Sequence, residues 1–331
     1  MRRLDVSERE GAYVSALIPS PDPRPASDEV LLRVAASGVN RADLAQIAGH
    51  YPPPAGESDI LGLEAAGRVE TTGEQACALL AGGAHAELVA VPRGQLLRLP
   101  RGMDLFHAAA IPEAFVTAYA NLVVEAGLRA GESLLVHAGA SGVGLAAIQI
   151  GRLLGARVAA TTRTAAKLDA LRQAGAELAI DTSRELFAET IANRWGQDGV
   201  SVVLDPVGAG TLADNLRVLA TGGRIVILAT LSGAQAQLDL RTLMAKRARL
   251  IGSVLRGRSR AEKAVLIERF SNEILPAFGE GRLRVPIDAV YSAEQAAAAF
   301  THMRENRNVG KIVIDWTRRQ APDSGILNFE S

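Results

Sequence analysis

The sequence predicts an α/β chain: a doubly wound parallel sheet, with a small β-rich domain before it. Three observations predict this class. Residues 133–144 run from an apolar strand into a glycine-rich turn that opens an alanine-rich helix. From Ser133 onward, strand and helix patterns alternate several times. The first hundred or so residues instead carry short alternating runs, turn residues and few helical periods.

In chain order, Val30–Ala36 alternates as a strand and Glu87–Val91 reads as another, with Pro52, Pro53, Pro54 and many glycines between them. His107–Ala126 has a helical apolar pattern interrupted by Pro112 and is read as the bridge between domains. Six strands follow, over 133–138, 157–162, 178–182, 200–206, 223–229 and 248–255. Helices fill most gaps, over 145–154, 164–175, 184–195 and 210–220. That spacing requires right-handed crossovers and helices on both faces. A long helix is expected over Arg260–Phe278, then one within Tyr291–Phe300 with Ser292 as N-cap. Lys311–Asp315 is a final strand returning to the first domain. The expected division is 1–116 for the substrate domain, 117–252 for the nucleotide domain and 253–318 for the return, with 319–331 a mobile tail.

Composition narrows the function. At 331 residues the chain supports two cores, and 48% apolar with 22% charged residues is ordinary for a globular enzyme. Lys plus Arg balances Asp plus Glu at 36 each, so no nucleic-acid footprint is expected. The basic run Arg256–Arg260 reads as a solvated loop or a phosphate contact. The charged N-terminus lacks a signal peptide's apolar run and no stretch reaches membrane-spanning length, so a cytoplasmic protein is expected. Cys77 is the only cysteine, which rules out an intrachain disulfide and a thiolate zinc cluster, and it reads as a buried hydrophobe.

The glycine-rich turn carries the chemistry. A strand, a tight turn and a helix N-terminus gather unpaired amides where the helix dipole favours a pyrophosphate. Gly139, Ser141, Gly142, Val143 and Gly144 form that cradle, with Gly139 allowing the turn, Gly144 allowing close packing, and Ser141 at a position where glycine is commoner. At the end of the next strand, an NAD site places a carboxylate on the ribose. Here stand Thr162, Arg163 and, one turn on, Lys167. These suit a 2′-phosphate, so NADPH is expected over NADH; otherwise the two cations are merely solvated.

Six segments, Val30–Asp43, Gly49–Pro53, Ile60–Gly67, Ala110–Ala114, His137–Gln149 and Asn308–Val313, span nearly the whole chain. Together they resemble the zinc-independent quinone oxidoreductases of the medium-chain dehydrogenase/reductase superfamily, nearest the tumour-suppressor-inducible branch. The resemblance implies a GroES-like substrate domain, a Rossmann domain binding NADPH, and a homodimer paired through the strand near Leu250–Leu255. It implies that Asn40, Asp43 and Tyr51 line the catalytic cleft. Asn40 would bond a carbonyl or hold the nicotinamide face, and Tyr51 would donate a proton or a hydrogen bond to developing oxyanion charge. Tyr51 otherwise packs a loop, and Asp43 otherwise sits in a helix's first turn. Thr117 would lie beside the nicotinamide-side phosphate, or be an ordinary helix residue. Backbone groups of Asp205–Gly208 and Ala229–Gly233 would line the cofactor. Asn308, Gly310 and Lys311 would close over it.

The zinc ligands of relatives correspond to Asn40, Leu63 and roughly Glu113, with Glu64 retained alone. Leu63 cannot ligate, and His50, His85, His107, His137 and His302 show no ligand spacing. A metal-free reductase is expected, acting on quinones by hydride or single-electron transfer. The alternatives are reduction of a conjugated carbon–carbon double bond, and a non-catalytic NADPH-binding protein. Two departures fall in the substrate domain: the segment between Val69 and Ala78 is short, and the opening strand looks abbreviated near Gly11–Ile18.

Overall fold

The chain opens with a β-hairpin. In the computed structural model, which describes residues 1–318, β1 (Arg2–Arg9) pairs antiparallel with β2 (Ala12–Pro19). Both strands have eight residues, so the opening is not abbreviated as expected. The expected tail, 319–331, lies outside the described residues. Strand β3 (Glu29–Val39) leads into helix α1 (Arg41–Ile47). Strands β4 (Glu64–Val69), β5 (Gln75–Leu79), β6 (Leu88–Pro92) and β7 (Leu96–Arg98) complete the β-rich part. Gly67 lets β4 cross β3 closely, since a Cβ there would lie 1.9 Å from the Arg33 carbonyl.

Two short helices, α2 (Leu105–Ala108) and α3 (Pro112–Tyr119), replace the single interrupted helix expected over 107–126, and a π-helical stretch (Ala120–Glu125) extends α3. Pro112 stands at the start of α3, where its missing N–H costs nothing.

The parallel sheet follows as β8 (Ser133–Val136), α4 (Gly142–Leu153), β9 (Arg157–Thr162), α5 (Leu168–Ala174), β10 (Leu178–Asp181), α6 (Phe187–Trp195), β11 (Val200–Asp205), α7 (Leu212–Val218), β12 (Leu219–Ile227), α8 (Leu240–Ala245) and β13 (Arg249–Gly252). Its order is β10-β9-β8-β11-β12-β13, the doubly wound arrangement with its switch point between β8 and β11. Helices cover both faces because neighbouring residues of β8 point oppositely: Leu134 and Val136 join one apolar cluster and Leu135 another. The helix expected over 164–175 is a 3-10 turn (Ala165–Lys167) followed by α5.

The helix expected over 260–278 is two, α9 (Arg260–Glu273) and α10 (Pro276–Gly279), because Pro276 removes an N–H. Strand β14 (Ile287–Ser292), helix α11 (Ala296–Arg304) and strand β15 (Lys311–Asp315) end the described chain. Strand β15 pairs antiparallel with β3 and parallel with β14, so the C-terminal segment joins the first sheet. Phe300 and Met303 of α11 bury against that sheet's core beside Leu32 and Val34.

Candidate functional site

The glycine-rich turn is built by backbone geometry more than by its glycines. Ala138, with φ of 50°, takes the left-handed conformation, and Gly139 does not, which corrects the role expected of Gly139. Gly139 instead sits against Ala160 and Leu171. Ser141 is the N-cap of α4, its Oγ accepting from the Gly144 amide at 3.0 Å. Gly144 cannot be replaced: a Cβ there would lie 2.5 Å from the Ala138 carbonyl oxygen. The amides of Gly142 and Val143 are the first of the helix, where no intrahelical acceptor exists.

The C-terminal segment lies across this turn. Gly310 donates its N–H to the Ala140 carbonyl at 2.9 Å, and Gly310 forms a bridge with Ser141. Its φ of 84° and the nearby Pro286 carbonyl exclude any side chain. Asn308 bonds the Gly310 carbonyl through Nδ2. Lys167 is partly exposed, and its ammonium donates to the carbonyls of Asn306 and Asn308, at 2.5 and 2.8 Å. Thr162 is buried at the end of β9 and Arg163 is exposed beside it. Burial lowers the pKa of both Arg41 and Lys167, and the Arg163 charge lowers both further, while Asp288 opposes the effect on Lys167. Three cations therefore converge at the end of β9, one of them from α1 in the other sheet's territory.

Polar groups around α1 are committed to one another. Lys311, 3% exposed, places Nζ 2.5 Å from Glu64 Oε1 and 2.6 Å from Asn40 Oδ1, and also donates to the Val39 carbonyl. Asn40 Nδ2 donates to Glu64 Oε1 at 3.0 Å and to the Gly38 carbonyl at 3.2 Å. Glu64 Oε2 accepts from the Glu113 amide at 2.8 Å. Two expected site residues are thereby placed. Lys311, expected to close over the cofactor, has its ammonium held by a buried carboxylate, and its stem lies against Gly142. Asn40 bridges that pair, so its amide donors are spent.

Asp43 takes the helix-start position that was the alternative to a cleft role. At 1% exposure it accepts from the Asn40 amide at 2.7 Å and the Gly62 amide at 3.0 Å, as the third residue of α1. His85 Nε2 lies 3.6 Å from Asp43, and His85 Nδ1 meets Ser37 Oγ at 2.8 Å. This Ser-His-Asp sequence is fully enclosed, so it has no nucleophilic role.

Tyr51 lies in a cation–π contact, with the Arg256 guanidinium 5.0 Å from its ring centroid. Arg256 also donates to the carbonyls of Tyr51 and Ala81 and to Gln46 Oε1. Burial and the Glu113 charge raise the Tyr51 pKa against the opposing Arg256, so the phenol keeps its proton.

Residues 26–83 match the family described as "Alcohol dehydrogenase GroES-like domain", and 142–272 the family described as "Zinc-binding dehydrogenase". Bovine (Bos taurus) quinone oxidoreductase-like protein 2 is 30% identical over 303 residues, 88% of this chain and 86% of that protein. The quinone oxidoreductase of Thermus thermophilus, solved also in complex with NADPH, superposes with a TM-score of 0.81 at 33% identity, covering 95% of this chain and 100% of that one. The chain belongs to the quinone oxidoreductase family of the medium-chain dehydrogenase/reductase superfamily. The spectinabilin polyketide synthase protein NorB of Streptomyces orinoci is 34% identical over 97% of this chain, which spans only 15% of that protein's length.

Two groups implied by this quinone oxidoreductase family can be tested against the residues. Zinc does not fit. The positions matched to its ligands hold an amide already bonded, the alkyl side chain of Leu63 and Glu113, while Glu64 is neutralised by Lys311. Among the described residues no group of three or more His, Cys, Asp or Glu could hold a metal ion. A nicotinamide dinucleotide does fit. Thr117 Oγ1 is buried with no partner among the described residues, so it is open to a polar group from a bound molecule.

Asp205 Oδ1 accepts from the amides of Val207 and Gly208, and its Oδ2 from Thr211 and Asn215, which fixes the turn after β11. Ser232 ties the turn after β12 to it. Sequence reasoning missed Arg41, Glu113 and Lys263. For Lys263 a signal existed: it falls on the stripe Lys263, Leu266, Ile267, Phe270 that α9 buries, at helical spacing.

Proposed function

We propose that this chain is a metal-free, NADPH-dependent reductase of quinones or related electrophilic carbonyl compounds. The observation that carries the reading is the convergence of Arg41, Arg163 and Lys167 beside the N-terminus of α4. Arg163, which bonds no acceptor among the described residues, answers a 2′-phosphate with the charges of the protein-held Arg41 and Lys167 behind it, and the Gly142 and Val143 amides answer a pyrophosphate. Thr117 Oγ1 supplies a further bond toward the nicotinamide end. Bound NADPH supplies the hydride. Tyr51, whose phenol stays protonated, donates a hydrogen bond to the oxygen that gains charge. Lys311, Glu64 and Asn40 hold the start of α1 rigid beneath it.

We further infer a cytoplasmic homodimer. Strand β13 is an edge of the parallel sheet, and Leu240, Met244 and Val254 near it are exposed. No helix among the described residues is long and apolar enough to cross a membrane.

The test is NADPH oxidation against ortho-quinones, para-quinones and enals, with light scattering on the same sample. Turnover of quinones supports the reading, and turnover of enals alone replaces it with double-bond reduction. Tight NADPH binding without turnover on any substrate makes the chain a binding protein.

A further inference from the structure

Three carboxylates converge between α1, β4 and α3, and two of them are fully committed. Asp43 is spent on backbone amides, and Glu64 on Lys311, Asn40 and the Glu113 amide. The Glu113 carboxyl, at the start of α3 and partly exposed, has no hydrogen bond or ion pair among the described residues. Across from it on α9 stands Lys263, 2% exposed, which also makes no ion pair or hydrogen bond among them. An unpaired acid and an unpaired base thus share the space beside Tyr51 and Arg256. Holding the buried ammonium of Lys263 without a partner costs stability, so the arrangement calls for a reason beyond packing.

We propose that Glu113 is the acid that protonates the reduced product, with Lys263 stabilising the carboxylate left behind. This rests on the reductase reading above. A quinone that has accepted a hydride carries negative charge on oxygen. The Glu113 O–H bond breaks, its proton passes to that oxygen, and water from solvent reprotonates the carboxylate. For an enone the same proton completes the enolate. Tyr51 bonds the oxygen but its raised pKa makes it a poor source of the proton.

The titratable groups facing Glu113 come from four elements and from the loops that carry Tyr51 and Arg256. Burial, then Glu64 of β4, raises its pKa; Lys311 of β15 lowers it, Asp43 of α1 raises it, and Lys263 of α9 lowers it, the result being about 8. Glu113 therefore carries its proton at neutral pH. Burial lowers the Lys263 pKa, Glu57 and Glu113 oppose this, and Arg256 and Arg260 add to it.

The experiment measures kcat against pH for the full chain with a quinone, beside NADPH affinity by fluorescence titration. Wild type should hold a plateau below about pH 8 and lose rate above it. Glu113→Gln should lower kcat about a hundredfold, abolish that alkaline limb and leave NADPH affinity unchanged, and Glu113→Asp should restore the limb. Lys263→Met removes the charge that favours the carboxylate, so its limb should move to higher pH. Glu113→Gln with wild-type kcat and an unchanged limb overturns the proposal alone. A wild type inert toward every quinone and enal overturns it together with the reductase reading.

Discussion

The Lys311 ammonium and the Glu64 carboxylate meet at 2.5 Å with almost no exposure of either, and they join the last strand of the first sheet to its centre. The pair is worth little net energy against water, but removing one partner strands the other's charge in the interior. Lys311→Met should cost about 3–5 kcal/mol in denaturant unfolding. Adding Glu64→Gln should recover part of that loss, because no charge is then left unpaired. A single-variant loss near zero would show that water reaches Glu64.

Arg163 is exposed and, among the described residues, makes no bond that competes with a ligand. Arg163→Ala should weaken NADPH binding about tenfold, or 1.4 kcal/mol, and leave NADH binding unchanged. Fluorescence titration with both coenzymes measures this. Equal weakening of the two, or a wild type that prefers NADH, contradicts a 2′-phosphate site.

The Tyr51 hydroxyl has no partner among the described residues, while the residue's carbonyl and ring are held by Arg256. Losing one donor to an oxyanion typically slows turnover about a hundredfold. Tyr51→Phe should do so with NADPH affinity intact, since the ring packing survives. Unchanged kcat would remove the hydroxyl from the mechanism.

His137 is buried beneath the cofactor turn, bonded to Thr161 Oγ1 at 2.9 Å and Asn215 Oδ1 at 2.7 Å. Burial depresses its pKa despite Asp205 and Asn215, so the folded chain holds it neutral. The unfolded chain protonates it near the ordinary value of about 6.5. Its contribution is complete above that pH and is lost as pH falls below it. Urea unfolding should show a stability loss between about pH 7 and 5.5 that His137→Gln lacks. An identical pH dependence in both proteins would contradict the assignment.

Where the physics is local, residues and structure agree closely. Strand β9 (Arg157–Thr162) and strand β15 (Lys311–Asp315) match the expected bounds because unbroken apolar runs buried on both faces have few alternatives. The hairpin of β1 and β2 escaped because its residues alternate charge with modest hydrophobicity, and one face stays wet. Asp43 was legible in part: Asn40 followed three residues later by a carboxylate is a helix-start pattern, and the capping reading accounts for both oxygens.

The order of apolar runs, turns and glycines was enough to specify the doubly wound sheet and the glycine-rich turn that opens α4. Each follows from contacts within about thirty residues of chain. The partners of the charged side chains were a different matter. Lys311 facing Glu64, Arg41 approaching Arg163, and Lys263 turned toward Glu113 join positions far apart in the chain. Such juxtapositions arise only when β15 docks on β3 and α9 packs on α3, since no local pattern in the chain relates the residues they bring together.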